Sequence, residues 1–188
     1  MGGPLFGVTL PALAAACLLH MPATPPPAET NEVWLDIPFV AQVENGCGPA
    51  SISMVMKYWA AARRRPPDPA AEEETIRQSL IAGNSRGAFA GDVARYFEGH
   101  GFHSYTFDGA WTDLEHHLAR GRPLIVALAE RSDTFHLLVV AGIDSSRGIL
   151  LVNDPARRKL QKLKRAEFEK AWSRCGNWTL LALPNDES

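Results

Sequence analysis

The hydrophobic period of the chain changes near residue 100, and that change excludes any fold built from one kind of element. Before it, apolar residues recur at helical spacing. Ile52, Val55, Met56 and Trp59 fall at i, i+3, i+4 and i+7 within Cys47–Ala61, with Pro49 in the first turn. Ile76, Leu80 and Ile81 predict a second helix, opened by Glu72, Glu73 and Glu74 and stopped at Gly83. Val93, Tyr96 and Phe97 mark a third, closed by Gly99 or Gly101. After it the chain runs in short apolar segments rich in branched residues: Phe102–Phe107, Leu124–Ala129, Leu137–Ile143, Ile149–Val152 and Trp178–Leu183. Two helices interrupt them. One is predicted from a capping box of Thr112 with Glu115, runs to Arg120 and stops at Gly121; the other spans Ala166–Trp172. Asp144–Gly148 reads as a hairpin turn. Helices first and strands second predict an α+β fold, an N-terminal helical lobe packed against a mostly antiparallel β-sheet.

The chain has 188 residues, enough for one compact domain and a leader. Leu5–Leu19 is apolar, uncharged and too short to span a bilayer comfortably. Ala14-Ala15-Ala16 before Cys17 has the small-residue pattern of a cleavage site and is similar to a bacterial lipobox, although Leu13 sits one place too early and no Lys or Arg precedes the apolar run. The expected organisation is a signal peptide at 1–16, a Pro-rich tether at 17–32 and one domain at 33–185. Export to the periplasm or beyond follows as an expectation, with membrane attachment only through a lipid on Cys17.

A formal net charge of −2 gives no general attraction to nucleic acid. The basic runs Arg63-Arg64-Arg65 and Arg157, Arg158, Lys159, Lys162, Lys164, Arg165 read as solvated faces. His100, His103, His116 and His117 lack the spacing of a zinc site, so no metal or organic cofactor is expected.

Cys47 carries the chemistry. It lies in Gly46-Cys47-Gly48-Pro49 at the mouth of the first long helix, where free N–H groups and the helix field stabilise a thiolate. The flanking glycines let another backbone approach the sulfur. Gln42, five residues earlier, offers a side-chain amide as an oxyanion donor beside the Cys47 backbone N–H. His136 opens one strand, and Asn153-Asp154-Pro155 closes the next. The hairpin joining these strands brings His136 beside Asn153 and Asp154. Alternation puts those two on opposite faces, so only one can orient the imidazole; Asp154 is the expected partner and Asn153 the rival. A competing reading pairs Cys47 with Cys175 in a disulfide.

At these residues the chain resembles the bacteriocin-processing (double-glycine leader) peptidase-like family. The resemblance rests on Ile37-Pro38-Phe39, Gln42, Gly46-Cys47-Gly48-Pro49-Ala50, Phe135-His136-Leu137 to Gly142 and Val152-Asn153-Asp154-Pro155, and covers roughly Leu35 to Leu183. It implies a papain-like fold and a cysteine peptidase acting on a peptide or protein substrate. By it, Cys47, His136 and Asp154 form a triad and Gln42 completes the oxyanion hole. The chain carries no nucleotide-binding motif, unlike members that head an export transporter; it is similar to the stand-alone branch, whose substrates the family does not define. A transpeptidase or amidase using the same residues, and a non-catalytic peptide-binding module of the same fold, are the alternative readings.

Overall fold

The computed structural model describes residues 1–3, 32–66, 68–81, 90–130 and 134–187. The expected leader beyond its first three residues, the tether up to residue 31 with Cys17, and the helix stop at Gly83 lie outside the described residues. Among the described residues no helix is long and apolar enough to cross a membrane.

Helix α1 (Cys47–Ala62) is the axis of the helical lobe. Its expected inward face, Ile52, Val55, Met56 and Trp59, is buried, but so is every residue from Gly48 to Met56. The reason is position. The helix lies between strand β4 (Phe135–Asp144) on one side and helices α2 (Glu73–Ile81) and α3 (Ala90–Gly99) on the other. Small residues on its far side, Gly48, Ala50, Ser51 and Ser53, admit those neighbours, and Ser53 Oγ donates to the Ala71 carbonyl at 2.6 Å. Ile76, Val93, Tyr96 and Phe97 enter the core as the helical spacing predicts.

The second half forms one antiparallel sheet. Beyond β4 its strands are β2 (Phe102–Asp108), β3 (Leu124–Ala129), β5 (Ile149–Asp154), β6 (Arg158–Lys164) and β7 (Trp178–Pro184), in the order β2-β7-β3-β4-β5-β6. β1 (Glu32–Trp34), which begins at the last residue of the expected tether, pairs with the far end of β4. A Cβ at Gly142 would lie 2.8 Å from both Trp34 Cβ and the Val33 carbonyl oxygen, so glycine is what lets β1 close on β4.

One expectation is extended and one corrected. The basic residues from Arg157 to Arg165 form the solvated face expected, and the segment is also β6, an edge strand that half-buries Leu160 and Leu163 and points Lys162 and Lys164 to solvent. Lysines on an edge strand also discourage pairing with another chain. The helix after β2, α4 (Trp111–Leu118), begins one residue before the proposed Thr112 cap. Asp113 Oδ2 accepts the Ala110 N–H at 2.7 Å, while Glu115 Oε1 is drawn away to Trp111 Nε1 at 2.8 Å and Ser145 Oγ at 2.6 Å. The last helix, α5 (Arg165–Ser173), buries Phe168 and Trp172.

The β4–β5 hairpin has one irregularity that bears on the site. Near the turn Asp144 faces Ile149 and Gly142 faces Leu151; further along Val140 faces Val152 and Val139 faces Asn153. Ala141 is the extra residue between these two registers, a β-bulge in β4.

Candidate active site

Three elements converge on one point. α1 brings Cys47 as its first residue, β4 brings His136 as its second, and β5 ends on Asp154. Gly46, at the N-cap, has no room for a side chain: a Cβ there would meet the Val43 carbonyl oxygen at 2.7 Å and Glu73 Oε1 at 3.0 Å.

His136 Nε2 lies 2.8 Å from Asp154 Oδ1, with both side chains buried. The imidazole also acts on the Cys47 thiol, and with Nε2 on Asp154 its Nδ1 is the nitrogen left for the sulfur. Burial alone would push the thiol up. The His136 hydrogen bond, the Leu137 N–H, the imidazolium charge and the Gly48 N–H outweigh it and hold the thiol below its ordinary value. For His136 burial acts downward, but the bonds to Asp154 and Cys47 and their charges push it up to about 9. Burial raises Asp154, and its bond to His136, the imidazolium charge, the Ala156 N–H at 3.0 Å and the Arg157 charge hold it below the usual carboxylate range. The three groups thus favour a thiolate, an imidazolium and a carboxylate in a row.

Asn153 is not part of this row. It is fully buried on the other face, where Nδ2 donates to the Ile37 carbonyl at 3.3 Å and Oδ1 accepts the Leu160 N–H at 3.0 Å. Its role there is to hold the lead-in segment and the irregular start of β6, where Leu160 has φ of +53°.

Gln42 is brought to the same region by its backbone, whose N–H donates to the Pro155 carbonyl at 2.9 Å. Its side-chain Nε2 donates to the Glu44 carbonyl at 2.7 Å, and Oε1 is buried with no partner among the described residues. One N–H of the amide is therefore engaged within its own loop, and its second N–H is the one left for an oxyanion.

Cys47 and Cys175 are both free thiols, which overturns the disulfide reading. Burial pushes the Cys175 thiol up, with the Arg174 charge opposing it. Among the described residues no group of three or more His, Cys, Asp or Glu side chains is disposed to hold a metal ion. Contributors not read from the sequence are the backbone N–H groups of Leu137 and Gly48, and Arg157, whose Nε is 3.5 Å from Asp154 Oδ2. Arg157 sits three residues after Asp154 in a turn, a spacing that signals such a pair; the backbone donors carry no sequence signal. Val43 and Phe135, beside the site in the chain, are 52% and 62% exposed.

The sequence model of the Peptidase_C39 like family matches residues 34–179. No curated protein matches the chain. Among solved structures, the peptidase domain of Streptococcus ComA, a bi-functional ABC transporter involved in quorum sensing, is 20% identical, with a TM-score of 0.61 over 78% of this chain and 97% of that one. A Bacillus anthracis protein described as a C39-like peptidase is 15% identical, with a TM-score of 0.65 over 81% and 97%. A double glycine motif protease from an AMS/PCAT transporter, solved with a leader peptide, is 22% identical, with a TM-score of 0.59 over 81% and 94%. At these identities the structures show a shared fold.

Proposed function

The chain belongs to the Peptidase C39-like family of papain-fold cysteine peptidases, and on that premise we propose that it hydrolyses peptide bonds through Cys47, His136 and Asp154, with Gln42 at the oxyanion. The observation that carries the proposal is the buried row of thiol, imidazole and carboxylate, with His136 Nε2 at 2.8 Å from Asp154 Oδ1. The Cys47 thiolate attacks the substrate carbonyl carbon, and the carbonyl electron pair moves to oxygen. The Cys47 backbone N–H and the second side-chain N–H of Gln42 stabilise that oxyanion. As the C–N bond breaks, imidazolium His136 gives its Nδ1 proton to the leaving amine, and a thioester remains. Water then attacks the thioester and His136 takes its proton. Release of the acid restores thiolate and imidazolium. Asp154 keeps the ring oriented and favours its charged form throughout.

The exposed Val43, in the turn before Cys47, suits a substrate with an apolar side chain. The test is incubation with a peptide library, read by mass spectrometry, with Cys47→Ser as control. Cleavage by the native chain and none by the variant is expected. A library left intact, although a thiol-directed peptidyl probe labels Cys47, would point to a peptide-binding module instead.

A further inference from the structure

The turn that follows the triad carboxylate borders both halves of the site. Asp154 Oδ1 is shared by His136 at 2.8 Å and the Ala156 N–H at 3.0 Å, and the Asp154 carbonyl accepts the Arg157 N–H at 3.0 Å. The Pro155 carbonyl accepts the Gln42 N–H, so the same turn touches the acid of the triad and the loop that carries the oxyanion side chain. Its own hydrogen bonds fix its shape before a substrate arrives, which lowers the ordering cost of any contact made from it.

Arg157 is the cation of that turn. Its Nε stands 3.5 Å from Asp154 Oδ2, and Asp154 is the one anion it pairs with among the described residues, although its side chain is 61% exposed. A guanidinium tethered through Nε keeps its two terminal nitrogens for a second carboxylate, in the parallel fork that matches one best. Arg158 follows, exposed, and stands opposite Asp154 in the β5–β6 ladder. The next cations differ. Lys159 is held by Asp36 at 2.7 Å and Arg165 by Glu169 at 2.8 Å, while Lys162 and Lys164 stand opposite Leu151 and Ile149, toward the far end of β5. Arg157 and Arg158 therefore leave positive charge at the triad end of the strand.

We propose that Arg157 is a specificity-determining residue: its terminal nitrogens take the carboxylate of an Asp or Glu side chain of the peptide substrate, close to the cleaved bond, and Arg158 adds to the attraction. The contact leaves Nε on Asp154, so binding the substrate does not draw the orienting acid from His136. This rests on the reading of Cys47, His136 and Asp154 as a peptidase triad and adds a substrate class to it.

The experiment is cleavage of a peptide library by the native chain, Arg157→Gln, Arg157→Lys and Arg158→Gln, read by mass spectrometry, with melting checked for each. Kinetics follow on one cleaved acidic peptide and on the same peptide with its carboxylate replaced by the amide. The native chain should favour the acidic peptide by about tenfold in kcat/KM, chiefly through KM, and less as salt is added. Arg157→Gln should bring the two peptides level, and their ratio cancels any loss of rate that the variant causes through Asp154. Arg157→Lys, a point charge without the fork, should keep part of the preference, and Arg158→Gln most of it. Cleavage by the native chain with no acidic preference overturns the proposal, as does a preference that survives in Arg157→Gln. A library left intact beside a Cys47 that a thiol-directed probe labels overturns the peptidase reading itself, and this subsite with it.

Discussion

His136 and Asp154 meet at 2.8 Å because β4 contains one residue more than its pairing with β5 uses. If the register at Asp144 and Ile149 ran on unbroken, Asp154 would face Val139, on the side of the sheet away from His136. The bulge at Ala141 shifts the pairing by one, so that Val139 faces Asn153 and Asp154 comes beside Leu138, which shares a face with His136. A one-residue shift of register moves every side chain to the other face.

Asp154→Asn is therefore expected to lower turnover by about a hundredfold to ten-thousandfold with little change in melting, by analogy with removal of the orienting carboxylate in serine triads. Asn153→Ala should do the reverse. Its two buried hydrogen bonds make it a stability residue, with a loss of roughly 1–3 kcal/mol and far less effect on turnover. Hydrolysis of a cleaved library peptide, with thermal melting in parallel, separates the two. A dead Asn153→Ala beside an active Asp154→Asn would transfer the orienting role to the asparagine.

The alkaline limb of the activity profile should fall near pH 9, where His136 loses the proton it gives to the leaving amine. The folded value lies above the ordinary 6.5, so the stability that protonation contributes is full below 6.5 and lost as pH rises through about 9. Removing the carboxylate in Asp154→Asn should move the limb toward the ordinary value. A limb left in place in that variant would mean that Asp154 does not sustain the imidazolium.

The two thiols of the domain should separate in a pH series of alkylation. Cys47 is held low by His136 and should react at lower pH than Cys175, which burial pushes up and which should react only at higher pH or after unfolding. His136→Ala should remove the difference. Equal reactivity in the native chain would show that the imidazole does not activate the sulfur.

Residues 1–16 are expected to be removed on export, and the mature chain to begin at Cys17. N-terminal mass analysis of the protein made in a bacterial host checks this. Cys17→Ser should release a lipid-anchored chain from the membrane fraction. An intact Met1 in the exported protein would count against the leader.

Elements whose evidence is local were legible in the sequence. The spacing of Ile52, Val55, Met56 and Trp59 marked α1, and glycines around a cysteine at a helix start marked Cys47, because both signals lie within a few turns of chain. The hairpin alone brought His136 near Asn153-Asp154. What it left open was the face, since Ala141 is an unremarkable residue within an apolar run and its bulge exists only against the pairing partner. β6 was hidden for a related reason: its lysines read as a solvated run until β5 supplies the other half of the ladder. The burial of α1 on nearly every side and the placing of Glu73 Oε1 where a Gly46 side chain would stand arise between segments with no mutual spacing rule. The residues of the site are thus written in short motifs. Which of two adjacent side chains faces the imidazole, and what stands behind the sulfur, is decided only by packing.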